Sequence, residues 1–142
     1  MDTNLSASNL PHRFYAAERW ASAILKVVIS SEDPKTIEHW GRLAGASRGT
    51  VITWCRAAHV SPRRSLELAR LLRALRLTGG RPADLQDVMD IVEPRTIKRL
   101  VARAGISSDD SNSQDFLTRQ TLIRQPKALA TLEAALARYD TR

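Results

Sequence analysis

Apolar residues recur at steps of three and four along most of the chain, and this spacing constrains the fold more than any other feature. The first clear series runs through Phe14, Ala17, Ala21 and Ile24 to Val28. Such a period places apolar side chains on one side of a helix. Only 5% of the residues are aromatic whereas 43% are hydrophobic, so the core must be largely aliphatic. Both observations predict an all-α fold.

Capping and turn residues indicate where the first helices begin and end. Residues 1–11 are polar without periodicity and are predicted to be a flexible lead. Asp33 at the N-cap and Pro34 in the first turn are expected to open the second helix. Gly45 should end that helix, and Ser47 should cap a third.

A long helix and several shorter ones are predicted in the rest of the chain. Ser61 and Pro62 should begin the long helix, which continues to Leu77. Its apolar series is Leu66, Ala69, Leu72, Leu75 and Leu77. Gly105 should end a later helix in a left-handed conformation. The further helices are expected near 83–91, 94–104 and 116–124, and from 126 onward.

Part of the sequence repeats at an interval of 46 residues. The equivalent pairs are Thr50 and Thr96, Val51 and Ile97, Trp54 and Leu100, Ala58 and Ala104, Val60 and Ile106, and Ser61 and Ser107. This repeat predicts two similar helical units, at about 14–60 and 82–107, joined by a linker helix over 61–77. Together they would form one bipartite domain over 12–107, followed by a C-terminal helical extension over 114–142.

The charge of the chain favours a polyanionic partner. The net charge is +7 and the isoelectric point is about 10.5. Residues 34–81 contain ten cations, nine of them Arg, and only two acidic residues. The planar guanidinium of Arg suits bidentate contacts with phosphate and guanine. Nucleic acid is therefore the expected partner.

The residues that commonly carry catalysis or bind metal form no recognisable pattern. Cys55 is the only cysteine, and His12, His39 and His59 are far apart. No Cys and His cluster has metal-ligand spacing, and no Gly-rich phosphate loop is present. We therefore expect no enzymatic activity, no catalytic or metal site and no cofactor. The absence of a signal-peptide pattern and of a long apolar stretch predicts a cytoplasmic protein that does not insert into a membrane.

Residues 37–56 have the pattern of a helix-turn-helix, which needs a small residue at the crossing of its helices and a Gly in the turn. Gly41 and Gly45 fill these positions, and Ser47 caps the second helix. The expected inward residues of this helix are Val51, Trp54, Cys55 and Ala58. The helical period then leaves an outward side formed by Arg48, Gly49, Ile52, Thr53 and Arg56.

The outward side has the chemistry needed to read bases in a major groove. Arg48 and Arg56 can each donate two hydrogen bonds to guanine. Thr53 and Ile52 can bond a base edge or contact a thymine methyl, and Gly49 permits close approach. In addition, Thr50 lies in the amino-terminal turn, where a hydroxyl and free backbone N–H groups would hold a phosphate. The alternative is a helical hairpin whose basic side is merely solvated.

The second unit presents a cationic stripe but matches the pattern less closely. Asp87 and Ile91 stand in the places of the two glycines, and Glu93 stands in the place of the capping Ser. The stripe suits phosphates better than bases, although a solvated surface is an equal alternative. Its residues are Arg95, Lys98, Arg99 and Arg103.

The stretch GRLAGASRGTVITWCRAAHVSPRRSLELARLLRAL resembles the first motif and linker helix of AraC-type (AraC/XylS-like) transcription regulators. The resemblance extends over 19–107 and includes the Val60-Ser61-Pro62 junction. It implies a DNA-binding domain with two helix-turn-helix units joined by a long helix. In the second unit, Ile91-Val92 replaces the usual Gly-Phe turn, and Ile97 and Leu100 replace paired aromatics. The function expected from the resemblance is sequence-specific binding of double-stranded DNA in transcription regulation.

Two other functions fit parts of the sequence. A protein-interaction or adaptor module would dock on a transcription partner such as RNA polymerase or another regulator, and the last helix could also form a homodimer. The apolar residues of that helix are Leu129, Leu132, Leu136 and Tyr139, which would otherwise complete a core. Sequence-independent nucleic-acid binding rests on the net charge alone.

Overall fold

The computed structural model describes residues 3–78, 89, 94–105 and 113–141, and these residues form helices without any strand. The helices are α1 Thr3–Val28, α2 Ile37–Ala44, α3 Arg48–Ala57, α4 Pro62–Leu77, α5 Pro94–Ala104, α6 Ser113–Arg119 and α7 Pro126–Asp140. The predicted all-α fold is confirmed. None of these helices is both long and apolar enough to cross a membrane. Apart from Met89, the residues of the helix predicted at 83–91 lie outside the described residues.

Helix α1 is the central element, because α2, α3, α4 and α7 all pack against it. The shared core is mostly aliphatic and contains two fully buried tryptophans. The Trp20 indole donates to Ser65 Oγ (2.9 Å), and the Trp40 indole donates to the Ala23 carbonyl (2.9 Å). Both polar N–H groups are therefore satisfied inside an apolar core, as buried indoles require.

The first helix begins earlier than the sequence pattern predicted. The flexible lead expected over 1–11 is helical from Thr3 onward. Ala7 and Leu10 continue the spacing that leads to Phe14, so the apolar series extends through Pro11 rather than beginning after it. Extending an existing helix is easier than nucleating one, which favours this earlier start.

The prediction that Asp33 and Pro34 open the second helix was wrong. Thr36 is the N-cap of α2, and its side chain accepts from the His39 backbone N–H (3.0 Å). Asp33 instead accepts two hydrogen bonds from Arg70, at 2.8 and 2.7 Å. The Asp33 side chain is only 3% exposed. A buried carboxylate needs a charged partner, and that partner lies 37 positions further along the chain.

Helix α4 begins as predicted. Ser61 accepts from the Arg64 backbone N–H (3.2 Å), and Pro62 is the first helical residue. Leu77 is the exception in its apolar series: it is 56% exposed. It lies two positions after Leu75, which turns it about 200° away from the buried side. The remaining apolar residues of the series are buried, namely Leu66, Ala69, Leu72 and Leu75.

The C-terminal helices join the same core as the rest of the described chain. Helix α6 ends at Arg119 rather than at the predicted residue 124, because the Gln120 side chain donates to the Ile123 carbonyl and accepts from its N–H. Helix α7 lies along α1 and buries Leu132 and Leu136. Tyr139, on the last turn, is 37% exposed.

Helices α3 and α5 follow the 46-residue repeat. They begin at the equivalent positions Arg48 and Pro94. Each is followed by a residue with left-handed backbone, His59 (φ 59°) and Gly105 (φ 73°), which are also equivalent. The counterpart of α2 in the second copy lies outside the described residues.

Candidate nucleic-acid interface

The turn between α2 and α3 fixes how closely the two helices approach. Gly45 ends α2 with φ 71°, and its N–H bonds the Arg42 carbonyl (3.2 Å). The N–H of Ala46 bonds the Gly41 carbonyl (2.8 Å). A Cβ at Gly41 would lie 2.8 Å from the Ala46 carbonyl oxygen. The predicted positions of the two glycines, Gly41 where the helices approach and Gly45 in the turn that ends α2, are confirmed, and the left-handed backbone of Gly45 explains why this turn uses glycine.

The first turn of α3 is capped as predicted, but Thr50 has a different role. Ser47 Oγ accepts from the Thr50 backbone N–H (3.1 Å) and lies 2.9 Å from the Thr50 hydroxyl oxygen. The N–H of Thr50 is therefore occupied by the cap and is not one of the free N–H groups of this turn. Thr50 is half-buried and stabilises the start of α3.

Opposite sides of α3 face the core and the solvent. Val51 and Cys55 are fully buried. Trp54 is only half-buried, and the guanidinium of Arg19 lies 5.8 Å from its ring centroid. Among the predicted outward residues, Ile52 is half-buried. The exposed ones are Arg48, Gly49, Thr53 and Arg56.

Hydrogen bonding limits what Thr53 can recognise. Its hydroxyl donates to the Gly49 carbonyl of the preceding turn (2.9 Å). With its only proton committed, the oxygen can still accept. In a major groove it would accept from the amino group of adenine or cytosine, or present its methyl to thymine.

The tertiary structure divides the arginines of the basic segment into two groups. Four arginines of α4 bind within the protein: Arg64 to Glu67, Arg70 to Asp33, Arg73 to the Ser30 and Ser31 carbonyls, and Arg76 to Asp140. A second group is exposed and forms no ion pair with any described residue. It consists of Arg42, Arg48, Arg56 and Arg63.

A count of charges in the sequence does not distinguish arginines that bind within the protein from those that remain available at the surface. The arginines of α4 mostly hold the fold together, whereas the four arginines without an ion pair in the described part of the chain belong to α2, α3 and the first turn of α4. Arg42 and Arg63 were not among the predicted site residues. Their spacing carries no signal of its own, because four neighbouring arginines of the same segment have structural roles.

All four predicted cations of α5 are exposed, and one of them, Arg103, forms an ion pair. Arg95, Lys98 and Arg99 are exposed. Arg103 donates to Glu67 at 2.7 Å, and the other oxygen of Glu67 accepts from Arg64 at 3.1 Å. The Glu67 side chain is 12% exposed and the Arg103 side chain 44% exposed, so this ion pair joins α4 and α5 at the protein surface. Arg103 therefore differs from the other three cations of the predicted stripe, which form no ion pair with a described residue.

Neither the cysteine nor the potential metal-ligating side chains form a second candidate site among the described residues. Burial raises the pKa of the Cys55 thiol to about 11, partly opposed by a hydrogen bond with Ser65. In the part of the chain that the structure describes, no three His, Cys, Asp or Glu side chains are grouped as metal ligands.

The chain matches no protein-family model, and comparisons with curated proteins and with solved structures give no significant match.

Proposed function

We propose that this chain binds double-stranded DNA in a sequence-specific manner and regulates transcription. In this proposal α2 and α3 form a helix-turn-helix, and α3 enters the major groove. The observation that carries it is the exposed side of α3: Arg48, Thr53 and Arg56 are accessible, while Val51 and Cys55 anchor the opposite side in the core. A rigidly held helix with free arginines can read base edges.

The geometry around the turn supports this use of α3. The close contact at Gly41 and the left-handed Gly45 leave little freedom in the angle between α2 and α3. Base recognition depends on such rigidity, since hydrogen bonds to base edges tolerate only small displacements. In the proposal, α4 is the connector, and Arg95, Lys98 and Arg99 of α5 contact the adjacent groove or backbone. The resemblance to AraC-type domains agrees with this arrangement.

The interaction-module alternative is not favoured by α7. Its apolar side is largely buried within the chain, with Leu132 0% and Leu136 5% exposed. These leucines pack into the core shared with α1. The residues that suggested a docking helix therefore already have intramolecular partners.

Selection from a randomised duplex library tests the proposal directly. The full chain, at about 0.15 M salt to limit non-specific binding, should enrich a consensus sequence. Arg48→Ala should weaken or alter that consensus, whereas Arg138→Ala, which removes an exposed arginine of α7, should leave it unchanged. Binding without any enrichment would indicate sequence-independent association, and absence of binding would refute a DNA-binding function.

A further inference from the structure

A basic cleft lies beside the amino end of α3. It has a volume of about 440 Å³ and lies between the first turn of α2, the first residue of α3 and the amino-terminal half of α4. Its lining includes Lys35, Arg48 and Arg63. Arg48 belongs both to this cleft and to the exposed side of α3, so the two surfaces are continuous.

The remaining charges of the cleft are largely neutralised within the protein. Arg70 is paired with Asp33, and Glu67 is paired with Arg64 and Arg103. Arg48 and Arg63 have no ion-pair partner among the described residues. Glu38, an exposed acid at the start of α2, is the one opposing charge on the lining that has no such partner. The cleft therefore retains an excess of positive charge.

We propose that this cleft binds backbone phosphates of the same duplex whose major groove receives α3. This inference rests on the proposed function and adds Arg63 to the interface. A helix in a major groove has a phosphodiester strand at each edge of the groove, so one strand must pass the amino end of α3. The cleft at Arg48 occupies that position.

The link to α5 adds a second reason. Glu67 lines the cleft and also pairs with Arg103 near the carboxyl end of α5, so this end of α5 lies next to the α4 side of the cleft. If α3 and α5 contact successive major grooves, the backbone between those grooves must cross this part of the protein. Phosphate contacts there would fix the register of the protein on the duplex without reading sequence.

The test is the salt dependence of duplex binding by Arg63→Gln. Loss of one phosphate contact should reduce the slope of log affinity against log salt by about 0.9, which corresponds to about 5-fold weaker binding at 0.15 M salt. The loss should be equal on the selected duplex and on an unrelated one. Arg63→Lys, which keeps the charge, should retain most of the slope. Glu38→Gln should strengthen binding to both duplexes.

Arg138→Gln is the matched control, since it removes the same charge from an exposed position. Asp140, two residues later, pairs with Arg76, about 20 Å along α4 from Arg63. The proposal is overturned if Arg63→Gln and Arg138→Gln give equal slopes, or if Arg63→Gln weakens only the selected duplex. If the wild-type chain binds no duplex, the proposed function fails as well, and the two failures are thereby distinguished.

Discussion

Replacing Gly41 by Ala tests the crossing on which the position of α3 depends. The new methyl would lie 2.8 Å from the Ala46 carbonyl oxygen and 3.2 Å from the Ser47 carbonyl carbon. Both neighbours are backbone atoms, so relief requires a shift of the turn, and overpacking of this kind costs about 1–3 kcal/mol. Ala gains about 0.8–1.0 kcal/mol over Gly in a helix interior. Because both contacts are with backbone atoms, the overpacking cost should lie near the upper end of its range and exceed the gain in helix propensity. The free energy of unfolding should therefore fall by about 1–2 kcal/mol.

Gly49→Ala provides the control for this change. A Cβ at Gly49 would meet only Ser47 Oγ, at 3.9 Å, which is an ordinary contact. Because Gly49 lies in the first turn of α3, the substitution should stabilise the protein by about 0.5 kcal/mol. Both variants change the unfolded chain in the same way, so the difference between them reports on the native contacts. Urea unfolding followed by circular dichroism should separate them by about 2 kcal/mol. Equal stabilities would refute the inference that Gly41 is required by close packing.

Further predictions concern the cap at Ser47, the buried ion pair of Asp33 with Arg70, and the buried thiol of Cys55. Ser47→Ala should lower the free energy of unfolding by about 1 kcal/mol in urea titrations. Ser47→Asp should keep the wild-type value, because the cap needs only a side-chain oxygen. An equal loss of stability in both variants would argue against capping. Asp33→Ala should lower the free energy of unfolding by about 3 kcal/mol, because it leaves Arg70 buried without its carboxylate partner. Adding Arg70→Met to this variant should recover part of the lost stability. A double variant no more stable than Asp33→Ala would contradict the pairing. Since the pKa of Cys55 is raised from 9.0 to about 11, the folded state keeps this proton while the unfolded chain loses it, so stability should decline as pH rises from 9 to 11. A thiol reagent at pH 8 should label Cys55 only on unfolding, and labelling as fast as in denaturant would refute its burial.

Features set by neighbouring residues were predictable from the sequence. The caps at Ser47 and Ser61 and the left-handed glycines at 45 and 105 depend on hydrogen bonds that close within a few residues, so the local pattern contains the necessary information. The outward direction of Arg48 and Arg56 followed from the helical period once the core-facing residues were identified.

Features set by distant partners were not predictable. Asp33 is a residue type that is common at N-caps, but its side chain binds Arg70, and Thr36 is the N-cap of α2. Arg103 has the spacing of a free surface cation, but Glu67 binds it. Helical periodicity identifies exposed positions without showing which charges meet across the fold. For the same reason, the cleft beside Arg48 could be recognised only after α2, α3 and α4 were placed together.

The proposal that the exposed side of α3 reads bases is tested by the sequence specificity of Arg56→Ala. Affinities of the wild type and this variant would be measured on the selected duplex and on all its single-base-pair variants. The variant should lose about 1–3 kcal/mol of discrimination at one base pair and keep the wild-type preferences elsewhere. Arg99→Gln should instead weaken every duplex equally and lower the salt slope by about 1. A uniform loss across all duplexes for Arg56→Ala would contradict base reading by α3.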